Sequence, residues 1–243
     1  MKRYKFNNLK DFDTNSQAAC YLSGLNLPYK TLLALLKTND FHLKHFALIN
    51  LNSIDDTGMD LLFLNLTGQD GKIRECSSSK IKDFIIGNPK LSSYLEKHSD
   101  ITAQSLNDIN PQVCRNMVDT LRYINNNDLF IEKVLKKINS IMDEIDIKNA
   151  VKSYKFNKQI FNLYWNLYAL ENILHKQMKN PQQIFSLINT ASKAGNYTIR
   201  ERIAKIVLKM DSLGFDMTEY KKELSQDENF YVRVAISSSH IRG

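Results

Sequence analysis

His42 and His45 stand three residues apart with Asp40 just ahead of them, a spacing that on a helix brings side chains onto one face. Such a set is the start of a metal site. Structural zinc takes four protein ligands, and catalytic zinc takes three plus water. No further ligand of suitable spacing follows, and the chain has no His-Glu-x-x-His segment. The pair therefore reads as surface or packing histidines. Cys114 lies beside Arg115; a neighbouring cation lowers a thiol's pKa when the thiol is partly exposed, whereas a buried Cys114 would be a small packing residue. The carboxylate pairs Asp55-Asp56 and Asp143-Glu144 fall in predicted loops or on helix surfaces, where capping or solvation is the expected role. Gly-rich phosphate loops, nucleophile elbows and kinase signatures are absent. The sequence points to no enzyme and no cofactor.

Two rows of side chains suit binding rather than catalysis. Arg202, Lys205 and Lys209 follow i, i+3, i+7 on one predicted helix, and Arg115 with Arg122 forms a weaker second row. A cationic row of this kind either holds phosphates or acidic side chains, with affinity that falls steeply in salt, or is a solvated helix face. Phe161, Tyr164, Trp165 and Tyr168 occupy i, i+3, i+4 and i+7. That stripe is either core or an exposed anchor of the sort tyrosine and tryptophan supply at binding hot spots. The candidate binding surface is accordingly Arg115, Arg122, Trp165, Arg202, Lys205 and Lys209.

These rows need helices to carry them, and the chain supplies a recurring helix start. A short polar residue is followed three positions later by an aliphatic one, and usually then by a basic one: Asp40-Leu43-Lys44, Asp70-Ile73-Arg74, Asn110-Val113 with Arg115 one step late, Asn157-Ile160 with no basic residue, Asn196-Ile199-Arg200 and Asn229-Val232-Arg233. The starts lie 30, 40, 47, 39 and 33 residues apart, the period of a helix-pair repeat. Only 4 prolines and 8 glycines occur in 243 residues, which favours helices joined by short turns over strands and hairpins. The fold class expected is all-α, a solenoid of about six stacked helix pairs. Residues 1–243 are expected to form a single solenoid domain, with a weak subdivision near 145–156, where periodicity fades. Residues 90–109 predict two short helices where other copies have one.

Charge and cysteines narrow the setting. The net charge is +7, of which residues 1–120 carry +1 and the remainder +6, a field able to draw in nucleic acid, acidic lipid or an acidic protein. No apolar run follows the basic residues of Met1 to Asp13 as a signal peptide would require, and no stretch reaches the roughly 20 apolar residues of a transmembrane helix. Cys20, Cys76 and Cys114 are odd in number and widely spaced, which predicts reduced thiols in a cytoplasmic protein with no membrane partner.

The segment Leu224-Ser225-Gln226-Asp227-Glu228-Asn229-Phe230-Tyr231-Val232-Arg233-Val234-Ala235 resembles a HEAT repeat. It is most similar to the short bacterial variety also found in phycobilisome-lyase-like and leucine-rich-variant arrays. Leu35 to Ala47 and Asp70 to Ser77 resemble the same consensus more loosely, and about three quarters of the chain is covered. The resemblance implies a right-handed superhelix. It also implies a ladder between neighbouring copies, built from Asp40 and Lys44, Asp70 and Arg74, Asn196 and Arg200, and Asn229 and Arg233. In the Asn157 copy Phe161 takes the basic position, and the ladder is interrupted there.

The function expected is a non-enzymatic scaffold that binds a protein or peptide on a concave face lined by the second helix of each pair, the surface that stacked repeats supply. The alternative is nucleic-acid binding by the basic second half, at its extreme resembling HEAT-like DNA-repair glycosylases, although no catalytic residue of that group is matched. A bilin-handling role follows from the phycobilisome-lyase resemblance alone. Ile236 to Ile241 ends the pattern without an obvious polar cap. Either Ser237, Ser238, Ser239 and His240 make it polar enough, or its exposed side pairs with another chain.

Overall fold

Five copies of the recurring motif start a helix, and their polar residues show why. The protein is described by a computed structural model, which places residues 22, 25–124, 127–149 and 154–237, with no side chains described for 154–157. Asp40 accepts the Leu43 N–H at 2.9 Å, Asp70 those of Lys72 and Ile73 at 2.8 and 3.0 Å, Asn110 that of Gln112 at 2.9 Å, Asn196 that of Thr198 at 2.9 Å, and Asn229 that of Tyr231 at 2.9 Å. Each bond satisfies a donor that the first helical turn leaves open. The aliphatic residue three positions on, Leu43, Ile73, Val113, Ile199 or Val232, is buried in every case.

The chain divides into two compact units, one of residues 1–102 and 110–120, the other of 103–109 and 121–243. In the first, α1 (Tyr29–Leu36) pairs with α2 (Phe41–Asn50), and α3 (Asp56–Asn65) pairs with α4 (Gly71–Gly87). α1 packs on α3 and α2 on α4, so first helices form one layer and second helices another. A 3-10 turn (Pro89–Ser92) and α5 (Ser93–Lys97) follow, then α6 (Ser99–Ser105), which are the short helices expected of residues 90–109. α7 (Pro111–Leu121) continues the second layer. Its Asn110 cap donates to Glu75 Oε2 at 3.1 Å, and Asn116 donates to Ser78 Oγ at 3.0 Å while accepting from Lys82 at 2.9 Å.

The second unit repeats the scheme. α8 (Asp128–Asp143) pairs with α9 (Tyr154–Ile173), α10 (Pro181–Ala191) with α11 (Tyr197–Ser212), and α12 (Thr218–Ser225) with α13 (Phe230–Ser237). The second helices stack in the order α9, α11, α13. The described residues form helices and no strands, and the chain is an all-α helical-repeat protein. Among those residues no helix is long and apolar enough to cross a membrane.

One local expectation is corrected. Asn157 does not start its helix: α9 begins at Tyr154, because nothing in Tyr154-Lys155-Phe156 breaks a helix and the turn extends upstream. Gly214 takes φ 91° after α11, and the Phe215 N–H reaches back to Met210 O at 3.1 Å, a glycine C-terminus that few other residues accommodate. The link after α8 is anchored, with Ile145 and Ile147 buried and Ile147 O accepting the Gly195 N–H at 2.9 Å. Cys20 and residues 238–243 lie outside the described residues.

Candidate docking surface

The basic residue of the motif has a defined task. Arg74 Nη1 donates to the carbonyls of Gly68 and Gln69 at 2.9 and 2.7 Å. Arg200 Nη1 does the same to Ala194 and Gly195 at 2.7 and 3.2 Å, and Arg233 Nη1 to Asp227 and Glu228 at 2.6 and 2.9 Å. In these three copies the guanidinium folds back over the turn that feeds its own helix and ties the carbonyls six and five residues upstream. Arg200 does more. Its Nε and Nη2 grip Asp227 Oδ2 and Oδ1 at 2.7 and 3.0 Å, and Nη2 also reaches Glu228 at 3.2 Å, so it bridges one copy to the next with a bidentate pair. Arg200 and the Asp227 side chain are both buried. Hydrogen bonds donated to Asp227 raise the pKa of Arg200 above its ordinary value against the cost of burial. Burial works against the charge of Asp227, but Arg200 and the Asn229 N–H outweigh it and hold the carboxyl below the usual range.

The aromatic stripe on α9 closes around a cation. Trp165 is 6% exposed, stacked on Tyr168 at 6.1 Å and met edge-on by Tyr164 and Phe161 at 5.4 and 6.1 Å. Arg202, at the head of the expected basic row, is 4% exposed. Its guanidinium lies 3.9 Å from the Tyr168 ring centroid and 4.7 Å from that of Tyr164, donates to the Tyr164 hydroxyl at 2.6 Å and pairs with Glu171 at 2.7 Å. Burial disfavours this charge, yet Glu171 and Tyr164 more than compensate and its pKa is raised. Arg202 therefore sits between α9 and α11 as a buried strut. Lys205 is half-buried and engaged by Glu201 at 2.7 Å, and Lys209 is half-buried. The three residues share a helix without forming one open cationic row. Arg115 on α7 and Arg122 just beyond it are exposed, the first in one unit and the second in the other.

The remaining polar candidates have neighbours of their own. His45 stacks on Phe41 at 5.6 Å and His42 meets the same ring edge-on at 5.1 Å. Among the described residues no three His, Cys, Asp or Glu side chains converge on a metal position. Cys114 is fully buried, and burial pushes the half-buried Cys76 thiol up. Asp55 caps α3 through the Gly58 N–H at 2.8 Å and binds the Tyr29 hydroxyl at 2.5 Å. Asp60 holds Lys97 and His98, each at 2.7 Å, a polar cluster that joins α3 to the end of α5.

The second unit also exposes an apolar patch. Tyr197 is 40% exposed, Phe230 62% and Tyr231 59%, with Val234 beside them on α13 also exposed. Tyr197 and Tyr231 stack with centroids 5.9 Å apart, and Phe230 meets Tyr231 edge-on at 5.8 Å. Three rings thus form one patch across α11 and α13. Helical periodicity does not single it out, because Phe230 and Tyr231 are adjacent in sequence and form no i, i+3, i+4 stripe like that of α9. The available signal was Phe230-Tyr231 directly after the cap Asn229, ahead of the position that packs inward.

No known family profile matches the chain, and no curated protein matches it. Solved structures do. The crystal structure of an engineered protein superposes with a TM-score of 0.50 at 12% identity, covering 86% of this chain and 93% of its own. A designed armadillo repeat protein covers 87% of this chain and 99% of its own at 14% identity, with a TM-score of 0.47. The first likeness is one of fold, which the helix pairs described above already define as that of a helical-repeat protein.

Proposed function

We propose that the chain is a non-enzymatic, cytoplasmic repeat scaffold that binds a protein or peptide partner on the second-helix layer of its second unit. The observation that carries this reading is the patch of Tyr197, Phe230 and Tyr231. Aromatic residues exposed side by side on rigid helices are the anchors that dominate binding energy at protein interfaces, and contiguous apolar surface of this kind is unusual without a partner. The free thiols of Cys76 and Cys114 agree with a reducing compartment.

The test is capture from native lysate by the immobilised chain and by a Tyr197→Ser/Tyr231→Ser variant, alongside a gel-shift assay with duplex and single-stranded DNA at low salt. The reading expects a protein retained by the wild type and released by the variant. Retention of nucleic acid alone, or of the same protein by both forms, overturns it.

A further inference from the structure

The junction between the last two described copies joins them by an ion pair and a ring stack, and the last copy leaves the outward half of that arrangement unanswered. Where one copy meets the next, Arg200 offers its Nε/Nη2 edge to a carboxylate two residues before the next helix cap, Asp227 before Asn229. At the same junction Tyr197, the residue after its cap, stacks on Tyr231, two residues after the next cap. Counting from the caps Asn196 and Asn229, Arg233 is the counterpart of Arg200 and Phe230 the counterpart of Tyr197. Arg233 makes the local half of the pattern, with Nη1 on the Asp227 and Glu228 carbonyls. Among the described residues its Nε and Nη2 hold no carboxylate, since that of Asp227 is turned to Arg200. Phe230 is open to solvent, and so is Val234 one position beyond Arg233.

We propose that this end of α13 docks a helical segment of another polypeptide that presents a carboxylate two residues before its helix cap and an aromatic ring two residues after it. The carboxylate takes the Arg233 fork and the ring stacks on Phe230, as Asp227 and Tyr231 do one copy earlier. Charge complementarity selects an acidic entry turn, since a planar guanidinium edge matches a carboxylate bidentately. A second copy of this chain is a poor donor, because the turn that fits the rule has its aspartate engaged by Arg200. The proposal rests on the scaffold reading and names the chemistry of its partner.

The experiment titrates the full chain into a fluorescein-labelled peptide that copies residues 216–237, with Asp227→Asn and Tyr231→Ser versions of the peptide and an Arg233→Gln version of the protein. Fluorescence anisotropy is expected to show saturable binding of the unaltered pair, weakened roughly tenfold or more by either the peptide Asp227→Asn or the protein Arg233→Gln change. The Tyr231→Ser peptide is expected to bind more weakly as well. Altering the peptide leaves the protein's fold untouched, so a loss with that change alone is decisive if Arg233→Gln proves unstable. No binding up to about 1 mM peptide, or equal binding of the Asp227→Asn peptide, overturns the proposal. Either result leaves the scaffold reading standing if the lysate partner is still released by Tyr197→Ser/Tyr231→Ser, and self-association of the chain that is lost in Arg233→Gln would assign the surface to a second copy and overturn the proposal.

Discussion

Individual arginines in this chain divide between structure and surface in a way that charge counting does not show. Arg200 and Arg202 are both buried, each with a carboxylate partner, and removing one member of a buried pair costs about 3 to 5 kcal/mol, because the other is left charged and unpaired. Glu171→Gln is therefore expected to lower the midpoint of chemical denaturation clearly, and an unchanged midpoint would show that Arg202 is held by the tyrosine rings alone. Asp227 adds a pH signature. Its folded pKa is depressed, so its contribution is complete above the ordinary aspartate value of about 4 and is lost as pH falls through the lower folded value. Asp227→Asn should destabilise the protein at neutral pH and flatten the acid limb of a stability profile. An acid limb as steep as that of the wild type would place the titration elsewhere. Trp165 is the only tryptophan, and its burial predicts blue-shifted emission and weak quenching by acrylamide.

At the scale of elements, the helix starts were legible because caps obey local chemistry. Asp40, Asp70, Asn110, Asn196 and Asn229 each hold the N–H two or three residues on, and the spacing of those residues alone pointed to helix pairs. Asn157 was misplaced for the converse reason: its neighbours are helix-compatible, and the cap pattern carries no information about how far upstream a helix can extend. The contrast is measurable. Asp70→Ala should cost ~1 kcal/mol, whereas Asn157→Ala, inside α9, should be neutral or slightly stabilising; equal losses would mean that α9 starts at Asn157 after all. Gly58 is crowded, since a Cβ there would meet the tips of the Tyr29 and Ile54 side chains. Gly58→Ala is expected to displace the Tyr29 hydroxyl from Asp55, read as a lowered Tm, because that hydroxyl is held by the Asp55 carboxylate and N–H. The basic row was misread because a helical wheel places Arg202, Lys205 and Lys209 on one side without revealing that α9 covers the first of them.

For the molecule as a whole, repetition makes surface that is left unsatisfied easy to recognise. Stacked helix pairs satisfy one another through the Arg200–Asp227 bridge and through helix-on-helix packing, so surface that breaks the rule stands out. The aromatic patch of Tyr197, Phe230 and Tyr231 is such a surface, and the proposed partner docks there. The most direct measurement places photoreactive benzoylphenylalanine at position 230, and in a control at position 129, where Leu129 is an exposed apolar residue of first helix α8, and irradiates each form in native lysate. A discrete protein adduct from position 230 that is absent from position 129 is the predicted result. Adducts that are absent from both positions, or identical at both, would rule out docking at this patch.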